Sequence, residues 1–142
     1  MINLLSFLAR RVDRMKASEV RELLKWVSKD VISFGGGLPD PSTFPTEEEL
    51  GEIIREISKI PNKAFQYCAT EGIRELREEI VRFSTKHGIK TNVENVIITT
   101  GSQQALDIIG RIFIDQRDLV IVELPTYLAA IQAFGLYRPN YI

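Results

Sequence analysis

The sequence predicts an α/β fold in which N-terminal helices precede the first β-α units of a mostly parallel sheet. Residues 96–100 and 119–122 are short β-branched and aliphatic runs, and each leads into a turn and then a segment with helical spacing. Two strand–turn–helix units in succession indicate parallel strands, because the chain must cross over between them. Apolar residues at three-and-four spacing in residues 3–28 predict one or two amphipathic helices before the sheet.

The central part of the chain carries the clearest helix signals. Thr46 and Glu49 have the spacing of a capping box, and the apolar residues that follow predict a helix up to Pro61. A second helix is predicted from about 71 to 86, with Gly88 as its stop. Residues 35–45, with three glycines and three prolines, exclude a helix and predict an extended loop.

The last third of the chain predicts two more helices. One follows the glycine turn at Gly101, and the other is opened by Pro125 and ended by Gly135. Pro139 and residues 141–142 predict a turn that feeds a third strand, which we expect the chain not to reach. We therefore expect a helical arm and loop over residues 1–45 and a truncated sheet domain over residues 46–142.

Composition narrows the functional classes. The 142 residues are 44% hydrophobic, enough for a core, and 18 Lys and Arg against 19 Asp and Glu leave no basic field for nucleic acid. The sequence has a single cysteine, Cys68, so an intrachain disulfide is excluded and a cytoplasmic protein is indicated. We interpret Cys68 as a packing residue. No run has membrane-spanning length. His87 stands alone before Gly88, which favours a helix-end cap over a metal ligand.

The turn after the first predicted strand is the best candidate for ligand chemistry. Gly101 exposes backbone amides at a helix N-terminus, where the dipole favours a phosphate, and Ser102 adds a hydroxyl donor. Ser102 acting as a simple helix cap is an equally compatible interpretation. Tyr127, at the carboxyl end of the second predicted strand, could stack on a planar cofactor in the same crevice or be a core tyrosine.

Four motifs in order resemble the pyridoxal-phosphate (PLP) aminotransferases of fold type I. They are ISFGGGLPDP at 32–41 followed by FP at 44–45, YCATEGIRELR at 67–77, TTGSQQALD at 99–107 and ELPTY at 123–127. The resemblance covers about residues 18–142 and is nearest to the subgroup that contains 2-aminoadipate, kynurenine and multi-substrate archaeal aminotransferases. It implies PLP as cofactor, an amino acid and a 2-oxo acid as substrates, and a homodimer.

The resemblance also implies roles for individual residues. Ser102, Gln103 and the amide next to Gly101 match positions that bind the PLP phosphate, and Tyr127 matches the aromatic residue that stacks on the pyridine ring. Tyr67 matches a tyrosine that reaches the phosphate of the neighbouring subunit, although alone it could be an exposed loop tyrosine.

Three further positions concern the substrate. Gly36 and Gly37 match backbone that approaches the substrate α-carboxylate. Arg21 is similar to an arginine that contacts the substrate side chain, which hints at an acidic or polar group; a solvated helix arginine is the favoured alternative.

The lysine that holds PLP as a Schiff base, in a Ser-x-x-Lys setting, has no match in this sequence, so no catalytic residue is assigned. We therefore expect no turnover by this chain alone, and weak or absent PLP binding. Two rivals remain. A nucleotide-binding module is disfavoured because Leu38 and Pro39, not a helix start, follow the three glycines, and no Walker lysine is present. A non-catalytic role for a truncated product or subunit, acting through self- or partner association, stays open.

Overall fold

The computed structural model of the chain describes residues 4–15, 17, 22, 32, 34 and 37–142. These residues fall into two compact units. One is formed by Leu38–Ile98, and the other by Thr99–Ile142 with the described part of residues 1–37.

The Leu38–Ile98 unit contains three α-helices and two 3-10 turns. The helices are α1 (Glu47–Lys59), α2 (Pro61–Ala64) and α3 (Arg74–Lys86), and the turns span Pro41–Thr43 and Val93–Asn95. The predicted capping box of α1 is confirmed. The Glu49 amide donates to the Thr46 hydroxyl at 3.3 Å, and the Glu49 carboxylate accepts the Thr46 amide at 2.7 Å. The loop before α1 is extended apart from the first of these turns, which Asp40 caps by accepting from the Ser42 amide at 2.8 Å.

The predicted stop of α3 is also confirmed. Gly88 has a left-handed φ of +82°, its amide donates to Thr85, and the Ile89 amide donates to Ser84. These two bonds form a Schellman motif, which satisfies carbonyls of the last turn. His87 is the C-cap residue, as predicted, with Nδ1 2.9 Å from the Phe83 carbonyl oxygen.

The predicted buried strand over residues 96–100 is wrong. The segment makes no ladder in the described structure, and Ile97 is 54% exposed. One backbone bond, from the Ile98 amide to the Glu71 carbonyl at 2.9 Å, holds it against the turn before α3. A β-branched run becomes a strand only where a neighbouring strand accepts and donates hydrogen bonds, and none of the described segments lies beside it in that way.

Residues 99–142 of the other unit contain two α-helices and a two-stranded parallel sheet. These elements are α4 (Gly101–Phe113), β1 (Leu119–Val120), α5 (Leu128–Gly135) and β2 (Asn140–Tyr141). Leu119 pairs with Asn140 and Val120 with Tyr141. The predicted parallel sheet is therefore confirmed in a β-α-β unit.

Three expectations for this unit need correction. A strand does form after Pro139, because Asn140, Ile142 and Val122 continue the ladder with bonds of 2.8–3.1 Å. The predicted burial of residues 119–122 is wrong, since Leu119 is 68% and Ile121 82% exposed. Parallel strands are buried when helices cover both faces, and the described helices do not cover these. The helix expected at Pro125 begins at Leu128, because Tyr127 is still extended.

The N-terminal prediction of amphipathic helices is wrong over residues 4–15. Two 3-10 turns, Leu4–Phe7 and Arg10–Arg14, stand there, separated by an extended Ala9. Phe7 is 74% exposed, so no packed face supports a longer helix. Glu22 is helical, while the rest of residues 16–31, apart from Ala17, lies outside the described residues.

Helices α4 and α5 make the closest packing of this unit. A Cβ at Gly110 would lie 2.6 Å from the Tyr137 ring and 3.2 Å from the Phe134 ring, so α4 has room only for glycine there. Ala133 of α5, Gly110 of α4 and Pro139 are buried. No helix within the described ranges is long and apolar enough to cross a membrane.

Candidate cofactor site

The turn into α4 has the backbone geometry that the sequence predicts for a ligand-binding glycine. Gly101 has a φ of +71°, and its amide donates to the Thr99 carbonyl at 2.9 Å. Thr100, between them, has φ −78° and ψ 73°, the values of an inverse γ-turn. The chain therefore bends sharply at Thr100 and presents the following amides at the helix end.

The first turn of α4 is open and free of negative charge. The Thr100 side chain makes no capping hydrogen bond, and no acidic residue lies in the turn. Ser102 and Gln103 are exposed there. By contrast, the start of α1 is closed by its capping box and holds Glu47, Glu48 and Glu49. The first amides of a helix have no intrahelical acceptor, so the start of α4 favours an anion and that of α1 repels one.

Gln104 is a participant that the sequence analysis did not single out. Its side-chain oxygen accepts the Thr100 amide, which ties the γ-turn to the first turn of the helix. A glutamine in the first turn after a threonine is a capping signal that could have identified it, although the residue stands one position later than in a capping box.

Tyr127 is the N-cap residue of α5, in the same compact unit as Gly101. Its ring is 63% exposed, which excludes the core-tyrosine alternative. The first turn of α5, like that of α4, has neither a side-chain cap nor an acid. A cleft of about 1080 Å³ in this unit is lined by Arg10, Arg138 and their neighbours, and not by Ser102 or Tyr127.

Tyr67 lies in the Leu38–Ile98 unit and is 99% exposed. Its amide donates to the Gln66 side chain at 2.8 Å, while its ring is free of the core of the unit. Such a ring can reach toward another molecule, as the resemblance implies.

The remaining predicted positions divide between described and undescribed residues. Arg21 and Gly36 lie outside the described residues. Gly37 has a φ of +58°, with no atom within 4 Å of a Cβ placed on it. The expectation that Cys68 is a packing residue is wrong, since its thiol is exposed. No group of three potential metal ligands occurs among the residues that the structure describes.

Comparisons with known proteins agree with the motifs. An aromatic-amino-acid aminotransferase of Thermococcus litoralis is 49% identical over 131 residues, which cover 90% of this chain and 31% of that protein. A kynurenine aminotransferase structure from Pyrococcus horikoshii matches with a TM-score of 0.83 and 49% identity, over 99% of this chain and 35% of that one. No protein-family model matches the chain.

A further match is the α-aminoadipate aminotransferase of Thermus thermophilus, solved with N-(5′-phosphopyridoxyl)-L-leucine. Its TM-score is 0.78 at 39% identity, over 99% of this chain and 34% of that one. The chain belongs to the PLP-dependent aminotransferases of fold type I. It spans about a third of the length of the relatives that it matches.

The residues at the start of α4 fit the phosphate of such a cofactor. A dianion requires hydrogen-bond donors and no competing negative charge. The turn offers backbone amides and the Ser102 hydroxyl as donors, and it holds no acidic residue. An exposed aromatic ring at Tyr127 suits a planar heterocycle.

Proposed function

We propose that this chain is the N-terminal portion of an aminotransferase that transfers amino groups between an amino acid and a 2-oxo acid, with PLP as cofactor. The observation that carries the proposal is the open, acid-free start of α4 behind a glycine of positive φ. The similarity to aminotransferases over nearly the whole chain supports it. When bound, PLP supplies the electron sink for moving an amino group and a proton.

Each predicted residue then has a role in holding the cofactor or the substrate. The amides of Gly101, Ser102 and Gln103, with the Ser102 hydroxyl, bind the phosphate. Tyr127 covers the cofactor ring, and Tyr67 reaches the phosphate bound by a second subunit of a homodimer.

Substrate binding falls to the N-terminal region. Gly36 and Gly37 let the backbone approach the substrate α-carboxylate. Arg21 contacts the substrate side chain, for which we infer an acidic or polar group. The relatives named above are aminotransferases of aromatic amino acids, kynurenine and α-aminoadipate, which supports an amino-acid donor.

We further propose that the 142 residues alone have no transaminase activity. Transamination needs a lysine to hold the aldehyde and to move the proton, and no lysine here has the Ser-x-x-Lys setting. Residues 1–45 would then serve as arm and substrate loop, and residues 46–142 as the first part of the PLP-binding domain of a cytoplasmic enzyme.

Binding at the α4 turn can be tested by hydrogen–deuterium exchange with and without PLP. We expect slower exchange in residues 99–105 and an affinity at least about tenfold lower in Ser102→Ala, because a hydrogen bond to a charged group contributes about 1.5–3 kcal/mol. Ser58→Ala is the matched control, since the Ser58 hydroxyl donates to Ile54 within α1. Protection elsewhere, or an unchanged affinity in Ser102→Ala, would contradict the assignment.

The missing lysine has its own test. Borohydride reduction with PLP, followed by peptide mapping, should give no stoichiometric adduct at a single lysine. One dominant modified lysine, together with an absorption band that moves when an amino donor is added, would overturn the proposed inactivity.

A non-catalytic role through self- or partner association is the alternative. It is favoured by exposed apolar side chains such as Leu124, at 98%, and Phe65, at 80%. Formation of a stable complex without any effect of Ser102→Ala on PLP binding would support this alternative.

A further inference from the structure

The start of α4 differs by one residue from an ordinary helix cap. Gly101 is the first residue of the helix and Gln104 the fourth, and the Gln104 side chain accepts the amide of the N-cap residue Thr100. In a capping box this acceptor belongs to the third residue, as Glu49 accepts the Thr46 amide at the start of α1. Because a backbone amide can only donate, the Gln104 atom that faces it is Oε1.

The backbone of Thr100 explains this difference. Thr100 and Thr46 have similar φ values, −78° and −69°, but their ψ values are 73° and 164°. The γ-turn therefore changes the direction of the Thr100 N–H group relative to the helix that follows. In α4 the side chain of the fourth residue reaches this group, whereas in α1 that of the third residue does.

Two further hydrogen bonds hold the same turn. The Thr99 hydroxyl donates to the Gly101 carbonyl at 3.2 Å, and the Gly101 amide donates to the Thr99 carbonyl at 2.9 Å. Together with the bond from Thr100 to Gln104, they fix the backbone that leads into α4. A binding loop that is fixed beforehand loses less conformational entropy when a ligand binds.

The same arrangement leaves the next amides of the helix without an acceptor. In α1 the Thr46 hydroxyl accepts the amide of the third residue, Glu49, at 3.3 Å. At the start of α4, by contrast, the described part of the chain offers no acceptor to the amides of Ser102 and Gln103. Gln104 thus satisfies the amide that precedes the helix, and the first amides within the helix stay available to an anion.

We propose that Gln104 is a positioning residue for the cofactor phosphate. Its side chain holds the γ-turn at Thr100, and thereby the orientation of the Ser102 and Gln103 amides, before the phosphate binds. Gln104 acts through these amides and does not itself contact the phosphate. The inference rests on the proposed function, which assigns the turn into α4 to the phosphate of PLP.

Amide exchange of the free chain, followed residue by residue by NMR, tests the contact. Gln104→Met removes the acceptor at similar side-chain length and should make the Thr100 amide exchange at least about threefold faster. Gln104→Glu keeps an acceptor oxygen and should retain the wild-type rate. Gln116→Met, at an exposed glutamine in the turn before β1, is the matched control and should leave the rate unchanged. An unchanged Thr100 rate in Gln104→Met overturns the proposal.

Binding of pyridoxine 5′-phosphate tests what the contact does. This compound has the ring and the phosphate of the cofactor but no aldehyde, so it forms no Schiff base with lysines. Its affinity should fall about three- to tenfold in Gln104→Met and stay unchanged in Gln116→Met. In a Ser102→Ala background the loss should be smaller, because both changes weaken the same bonds to the phosphate. An equal loss in both backgrounds would indicate a merely structural role.

The outcomes separate this inference from the proposed function. If pyridoxine 5′-phosphate slows exchange of residues 99–105 in the wild-type chain, and Gln104→Met binds it equally well, the phosphate site stands and the role of Gln104 is refuted. If the wild-type chain shows no protection there, the phosphate assignment itself fails, and the inference fails with it.

Discussion

At the scale of single residues, two glycines share a positive φ but differ in the atoms that surround them. Gly72 and Gly101 have φ values of +99° and +71°. A Cβ at Gly101 would meet nothing within 4 Å, whereas one at Gly72 would lie 2.4 Å from Cγ1 of Ile98. Gly72 is therefore required by both its contact with Ile98 and its conformation, whereas Gly101 is required by its conformation alone.

We predict that Gly101→Ala lowers the free energy of unfolding by about 1–2 kcal/mol, the cost of a left-handed conformation for a residue with a Cβ. Gly72→Ala should cost more, because Ile98 must also move. Urea denaturation of both variants, followed by circular dichroism, measures the difference. Equal losses would show that the Gly72–Ile98 contact relaxes without cost.

Gly51 provides the control for these substitutions. It lies inside α1 with nothing within 4 Å of its Cβ position and without a positive φ. Gly51→Ala should raise the free energy of unfolding by about 0.5–1 kcal/mol, because alanine loses less backbone entropy in a helix. A loss of stability would mean that this face of α1 is covered.

The sequence predicts the role of Gly101 at the start of a helix but not the burial of Arg77. One physical difference explains both outcomes. Gly101 follows an apolar run and precedes a helix, so its role is visible in its neighbours along the chain. The burial of Arg77 depends on the Val93 carbonyl, which only the folded backbone brings to it. Local signals are readable in a sequence, whereas a partner brought in by tertiary structure is not.

At the scale of elements, the start of α1 has a pH dependence with a definite sign. The Thr46 amide donates to the Glu49 carboxylate, which holds the pKa of Glu49 below its ordinary value of 4.5. A lowered pKa in the folded state stabilises the cap at pH values above the ordinary pKa. This stabilisation is lost as the pH falls through the lowered value.

We therefore predict that amide protection at the start of α1 decreases as the pH is lowered from about 6 to about 3. Glu49→Gln should remove this dependence, since glutamine accepts the same bond without titrating. Thr46→Ala should cost about 1 kcal/mol at neutral pH. An identical pH profile in Glu49→Gln would show that another group titrates.

Helices with a local cap or stop signal were predictable from this sequence, whereas the N-terminal segment and the strands were less so. The capping box of α1 and Gly88 after α3 act within a few residues, and both are confirmed. The strand expected at residues 96–100 depends on a partner from elsewhere, and the described chain offers none. The pair β1 and β2 formed because Asn140 and Tyr141 supply the neighbour that β1 requires.

At the scale of the whole molecule, large apolar side chains stay exposed on several of the described elements. Ile54, Phe113 and Ile121 are among them. The sequence predicts enough apolar residues for a core, and the part of the chain that the structure describes leaves many of them exposed.

We predict that the purified chain self-associates as its concentration rises and binds a hydrophobic dye, because exposed apolar patches of this extent associate in water. Analytical ultracentrifugation over a hundredfold range of concentration, at about the micromolar level, measures this. A monodisperse monomer without dye binding would contradict the exposure that the structure describes.

The parallel pairing of β1 and β2 has a consequence for the order in which this chain folds. Leu119 and Asn140 meet across one short helix, so the loop that closes is small and its entropic cost is low. Contacts of this sequence separation are expected to form before those that join more distant parts of the chain. During synthesis, the ribosome would release a β-α-β nucleus ready to assemble once Ile142 has left the exit tunnel.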